Sequence, residues 1–180
     1  NLIDQARRCG ADVIVTCDNG ISAATEIEYA KSLGMVVIVT DHHEVPFTIK
    51  NGKKTELLPD ADAIVNPKQK DCSYPFDGIC GAVVAWKLMY VLYEKMSKDT
   101  GLLDCLIENA GFATVGDVMD LCGENRYIVK KALEEINHTK NPGLKALIAQ
   151  TGIKKVMCYH MGFVLGPCFN ASGRLQSADE

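Results

Sequence analysis

Ala11-Asp12-Val13-Ile14-Val15-Thr16-Cys17-Asp18-Asn19-Gly20 is an apolar, β-branched run that ends on a carboxylate and a turn dipeptide. The run is too short for a helix and is bounded by glycines, so residues 11–17 read as a strand. Asn-Gly signals a hairpin when alternating strands flank it. Here a helical pattern follows instead. Ser22 can cap a helix over residues 22–33, with Ala23, Ile27 and Ala30 on one face and Gly34 as terminator. The chain therefore leaves its first strand through a crossover helix.

Met35-Val36-Val37-Ile38-Val39-Thr40-Asp41-His42-His43 repeats the pattern, an apolar run stopping at polar residues. A polar loop is expected over residues 44–59 and a third strand over 61–65. Continuous apolar strands of this kind are buried on both faces of a parallel sheet. The expected fold is α/β: a doubly wound, mainly parallel sheet with helices on both faces (residues 1–70), followed by a mainly helical portion (residues 77–180). In that portion Asp77 reads as the cap of a nearly all-apolar helix over residues 81–95. A shorter helix is expected over 102–113. Residues 124–136 are amphipathic, with Ile128, Ala132, Leu133 and Ile136 spaced for one face. Pro142 suits the first turn of a helix ending near residue 150.

The sequence has 180 residues, 47% of them hydrophobic and 23% charged, as in a globular domain. No apolar run approaches the roughly 18–20 residues that span a bilayer. The chain opens on Asn1 without a signal peptide, and the expectation is a piece of a longer protein. Its eight cysteines show no C-x-x-C spacing, which excludes a zinc site of that type and fits a reducing cytoplasm. Several lie in apolar segments, where a thiol acts as a small hydrophobe. A net charge of −4 excludes a surface that coats nucleic acid, though not a narrow basic groove. The basic pairs, Lys53/Lys54 among them, read as solvated faces.

Asp18 and Asp41-His42-His43 each follow a buried strand, and one short crossover joins the two strands. Neighbouring strands lie about 4.8 Å apart, and open α/β sheets bind ligands beyond their strands' carboxyl ends. An aspartate after a strand is commonly a helix cap, and a single histidine is commonly structural. Their coincidence at two strand ends favours a metal site. Oxygen and nitrogen donors without thiolate suit Mn²⁺, Mg²⁺, Fe²⁺ or Zn²⁺. Asp117 is a further carboxylate after an apolar stretch, with Asp120 as its competitor. Gly166-Pro167 and Asn170-Ala171-Ser172-Gly173-Arg174 suggest a loop where backbone and arginine approach a phosphate.

Asp18-Asn19-Gly20, Asp41-His42-His43, Gly116-Asp117 and Ser172-Gly173-Arg174 occur in the order found in DHH-family phosphoesterases, which the chain resembles. The intervening text, such as Ala63-Ile64-Val65-Asn66-Pro67 and Cys80-Gly81-Ala82-Val83-Val84, is similar to RecJ exonucleases. The resemblance implies hydrolysis of single-stranded DNA, from the 5′ end, in repair and recombination. It implies two divalent ions, Mn²⁺ or Mg²⁺. Asp18 would bridge both, and His42 and Asp117 would ligate one. Asp41 would orient the neighbouring imidazole, and His43 would bind the scissile phosphate or assist proton transfer. Ser172, Gly173 and Arg174 would contact DNA phosphate. Single-strand-binding protein and other recombination factors would be partners. The family's first motif, Asp-x-Asp, is absent and expected before Asn1, so the second metal site is incomplete. A second domain is expected beyond Glu180, and this piece alone is expected to be inactive. Cys168-Phe169 departs from the basic residue the family often carries there. Two alternatives stand: action on short oligonucleotides or cyclic dinucleotides, and a scaffold without catalysis.

Overall fold

A parallel sheet forms where the apolar runs predict it. In the computed structural model, which describes residues 2–175 with side chains through residue 171, β1 (Val13–Val15), β2 (Val36–Thr40) and β5 (Ala63–Val65) pair in the order β1-β2-β5. Val13 lies opposite Val36 and Ile38 opposite Ala63, all in parallel register. α1 (Leu2–Arg8) and α2 (Ala24–Ser32) belong to the same unit. Ile27 and Ala30 of α2 are buried with Met35, Val37 and Val39, and Ile3, Ile14 and Ile64 pack on that cluster. The α/β expectation for this half holds, but the strands are not buried on both faces: Val13, Val15 and Val36 are exposed, on the side away from Val37 and Val39.

Two details differ. Ser22 does not cap α2; the cap position is Ala23, with no side-chain hydrogen bond. The loop foreseen over residues 44–59 contains an antiparallel hairpin, β3 (Phe47–Lys50) with β4 (Lys53–Glu56). Its lysines and threonines masked the alternation that Phe47 and Ile49 provide.

The chain divides into two compact units, residues 1–85 and 86–180. α3 (Gly81–Lys95) runs across that division in sequence. Its first i→i−4 bond goes from Val84 N–H to the Cys80 carbonyl (3.1 Å), so Cys80, rather than Asp77, occupies the capping position. Cys80 is also the one cysteine of the eight that is buried, so the small-hydrophobe reading applies to it and not to the others.

The second unit is helical: α4 (Gly101–Cys105), α5 (Ile107–Gly116), α6 (Gly123–Ile136), α7 (Pro142–Thr151), α8 (Cys158–His160) and α9 (Gly166–Leu175). α5 and α6 touch at Gly111, where a Cβ would run into the Ala132 methyl. Ala132, Ile136, Leu144, Val156, Met161 and Leu165 form the core. Asn141 caps α7, accepting from Gly143 and Leu144 N–H. The segment read as a phosphate loop is helical: a π turn, Met161–Leu165, joins α8 to α9, which opens at Gly166-Pro167. Residues 158–175 form one continuous helical run, and Pro167 follows directly on the π turn, where Gly166 N–H donates to the Met161 carbonyl and the shifted hydrogen-bond register accommodates a residue without an N–H. Among the described residues, no helix is long and apolar enough to cross a membrane.

Candidate metal centre

The ladder between β1 and β2 continues past their ends. Thr16 N–H donates to the Ile38 carbonyl (2.9 Å) and Asp18 N–H to the Thr40 carbonyl (3.0 Å). The two threonines lock together, Thr40 Oγ1 donating to the Thr16 carbonyl at 2.6 Å. Asp18 then turns out of the sheet with φ at +63°. That left-handed conformation is costly for most residues but tolerated by aspartate. Gly20 follows with φ at +110°, and a Cβ there would lie 2.9 Å from Thr16 Oγ1. The Asp-Asn-Gly order thus meets a backbone need at its third residue.

Asp41 is 1% exposed and anchors the site. Its Oδ2 accepts from Ile21 N–H (2.9 Å). Its Oδ1 accepts from the N–H groups of His42 (2.8 Å) and His43 (3.2 Å) and faces His43 Nδ1 at 2.7 Å. Burial pushes this carboxyl up, but the bonds from Ile21, the His43 ring, and the two histidine N–H groups outweigh it and hold it below its ordinary value. An ionised carboxylate only accepts, so His43 Nδ1 carries the proton and Nε2 is left facing outward chemistry. Asn66, 1% exposed, holds the same histidine from behind, its Nδ2 donating to the His43 carbonyl (2.9 Å).

Asp18, His42 and His43 each offer a ligand atom, all within 4.8 Å of one another. His42 is 8% exposed, and its Nε2 lies 3.0 Å from Asp18 Oδ1. Adjacent ligands about 2.1 Å from an octahedral ion are about 3.0 Å apart, so this pair fits a hard divalent cation. The donors of the cluster are oxygen and nitrogen, Cys17 not being among them; burial, then Asp18 and Asp41, push its thiol up.

Gly81 is a site residue that sequence reasoning passed over. A Cβ on it would stand 2.6 Å from Asp18 Cβ and 2.7 Å from Asp18 Cα. Only glycine lets the first turn of α3 approach the strained aspartate so closely. Its signal in the sequence was a glycine at the start of an apolar helix, in a stretch quoted for the resemblance without a role. Asn66 stood in a segment quoted for resemblance without a role.

Asp117 lies in the second unit, at the C-cap of α5, its N–H donating to the Ala113 carbonyl (2.8 Å). It lines a cavity of about 380 Å³ with Asn109, Phe112, Asn141, Phe169 and Asn170. Phe112 and Phe169 meet there edge to face at 5.2 Å. Val118 follows with φ at +56°, a genuine outlier for a β-branched residue. The side chains of Ser172, Gly173 and Arg174 lie outside the described residues.

The fold and this centre define an α/β protein with an oxygen- and nitrogen-donor cluster at the carboxyl edge of a parallel sheet. Residues 1–109 match the DHH family, N-terminal domain, and the chain belongs to the DHH family. It is 38% identical over 187 residues to the single-stranded-DNA-specific exonuclease RecJ of Escherichia coli (strain K12), covering 97% of this chain and 31% of that protein. It is 40% identical over 172 residues to RecJ of Bacillus subtilis (strain 168), covering 94% of this chain and 20% of that protein. The crystal structure of exonuclease RecJ bound to manganese is similar with a TM-score of 0.80 at 26% identity, covering 98% of this chain and 42% of that one. The chain thus spans a third or less of the length of these curated relatives.

Proposed function

We propose that the protein containing this chain is a metal-dependent exonuclease that hydrolyses phosphodiester bonds of single-stranded DNA from the 5′ end. The observation carrying this reading is the gathering of Asp18, His42 and His43 within 4.8 Å at one edge of the sheet. The names of the relatives supply the substrate. Asp18 and His42, with Asp117, would hold a divalent ion, Mn²⁺ or Mg²⁺. Such an ion neutralises charge on a phosphoryl oxygen and acidifies water.

The chain's own residues do the rest. The left-handed turn at Asp18 and the close approach of Gly81 fix one carboxylate against His42. Asp41 and Asn66 hold His43 from its Nδ1 and its carbonyl. His43 Nε2 would then bind a phosphate oxygen or pass a proton at that atom. Ser172, Gly173 and Arg174 would contact DNA phosphate. The reading assigns to the rest of the longer protein a first Asp-x-Asp motif and a second domain that holds the strand. It sets the enzyme in the cytoplasm, in repair and recombination, with single-strand-binding protein and other recombination factors as partners.

The test is hydrolysis of 5′- and 3′-labelled single-stranded DNA by the full-length protein with Mn²⁺, alongside Asp18→Ala and His42→Ala. Release of labelled mononucleotide from the 5′ end first, lost in both variants, is expected. Full activity in both variants would remove the site, and an inert parent would remove the reading.

A further inference from the structure

Neither the sheet nor the metal centre accounts for the β3–β4 hairpin. Its strands meet at Asn51-Gly52, whose φ angles are both positive, 52° and 75°. This is the pattern of a tight two-residue turn matched to strand twist. The root is tied by Leu57 N–H to the Pro46 carbonyl (2.7 Å) and by Lys70 N–H to Glu56 Oε1 (2.9 Å). The arm is therefore a defined shape rather than a slack loop. It starts four residues after His43, so its root lies at most about 14 Å along the chain from the centre.

Its charge runs against the rest of the molecule. Lys50, Lys53 and Lys54 are all exposed, with Glu56 as the one acid of the two strands, in a chain of net charge −4. Lys50 sits directly opposite Lys53 in the ladder. Like charges so placed are destabilising, and a hairpin shaped for its own stability avoids them. Lysines do keep edge strands from pairing with other chains. Phe47 and Ile49, 48% and 65% exposed, work against that purpose. The register places both on one face with Lys54 and Glu56, and Lys50 with Lys53 on the opposite face; Lys54 Nζ stands 4.1 Å from the centre of the Phe47 ring. Cations beside a presented aromatic ring are the means by which proteins hold single strands without reading sequence.

We infer that this hairpin is an arm that grips single-stranded nucleic acid away from the bond being cut, Lys54 and Phe47 on one face holding a phosphate and a base, and Lys50 and Lys53, which flank the turn on the other face, meeting further phosphates as the strand passes over the tip. The inference rests on the nuclease reading of the centre. An acidic peptide would satisfy the lysines but leave Phe47 and Ile49 without purpose.

The experiment uses the full-length protein, a fluorescent oligo(dT) and no divalent cation, with affinity followed by anisotropy across NaCl concentrations. Each phosphate contact on a single strand contributes about 0.7 to the slope of log affinity against log salt. The Lys50→Gln/Lys53→Gln/Lys54→Gln variant should therefore lose about 2 from that slope, equivalent to about 100-fold in affinity at 0.1 M salt. Phe47→Ala should weaken binding about 5- to 150-fold with its slope unchanged, because stacking releases no counterions. Hydrolysis of a thymidine dinucleotide, whose single phosphate is the one being cut, should match the parent in both variants, which also reports that they fold. A parent that binds and a triple variant with the same slope would overturn the inference while leaving the nuclease reading intact. Loss of binding to a poly-glutamate peptide with that slope unchanged would also overturn it, in favour of an acidic protein partner. A parent that binds no single strand would overturn both.

Discussion

Replacing Gly81 by alanine should damage the centre from outside it. The new methyl would lie 2.7 Å from Asp18 Cα, about 0.7 Å inside the 3.4 Å at which ordinary contact begins. The obstacle is backbone and the root of a side chain, so no rotamer change relieves it. Either α3 shifts outward or Asp18 leaves its left-handed position. Overpacking of this kind costs about 1–3 kcal/mol, and a displacement near 1 Å at reacting groups costs on the order of 100-fold in rate. The assay pairs a urea melt of the full-length protein with manganese titration by calorimetry and with kcat on single-stranded DNA. Weaker metal binding and a kcat lowered about 100-fold are expected at temperatures where the variant is fully folded. Gly78→Ala is the control, because its methyl would meet only Phe76, no closer than 3.5 Å. A folded Gly81→Ala protein with the parent's metal affinity and kcat would refute the claim that Gly81 sets the position of Asp18.

Asp41 carries a pH signature. Its folded pKa lies below the ordinary carboxyl value of 3.8, so its stabilisation is present above that pH and is lost as pH falls through the folded value. The urea midpoint of the parent should fall from pH 5 to pH 3 more steeply than that of Asp41→Asn; equal slopes would contradict this. Asp41→Ala should cost at least about 1–3 kcal/mol at pH 7, since buried N–H groups lose their acceptor. Val118→Gly should raise stability by about 1 kcal/mol, the left-handed penalty of 1–2 kcal/mol less the added freedom of glycine in the unfolded chain. A thermal melt that falls instead would show that the turn is not strained.

The strands were legible because their apolar runs are continuous, as in Val36–Thr40, but the expected burial on both faces does not hold: Val13, Val15 and Val36 are exposed, while Ile14, Val37, Val39 and Ile64 pack in the core. The convergence of Asp18 with His42 was legible too, since adjacent parallel strands present the residues after them at one edge. What the sequence hid depends on close approach and on context. No spacing announces that Gly81 lies against Asp18, because contact between residues so far apart in the chain leaves no local pattern. Asn51-Gly52 did carry the hairpin signal, but the lysines around it resembled a solvated loop. The phosphate loop became a helix because a π turn precedes Pro167, and the hydrogen-bond register shifts there so that the helix runs past a residue without an N–H.

The choice between Asp117 and Asp120 was open at the level of spacing and turns on backbone strain. At the end of α5, Met119 N–H reaches back to the Thr114 carbonyl (3.1 Å) and Val118 N–H to the Val115 carbonyl (3.1 Å), a Schellman closure with Val118 in the left-handed position. Where helices end this way glycine usually fills that position, and a valine there costs stability. Strain that persists where a cheaper residue would serve collects at functional positions, and Asp117 is the titratable group beside it. Asp120 differs: its carbonyl accepts from the buried Asn125 side chain (3.0 Å) as α6 begins, a task any residue's backbone performs. We propose Asp117, rather than Asp120, as the ligand on the strength of this strained turn. Asp117→Asn should weaken manganese binding by the full-length protein in calorimetry, while Asp120→Asn should leave it unchanged; the reverse result would move the ligand to Asp120.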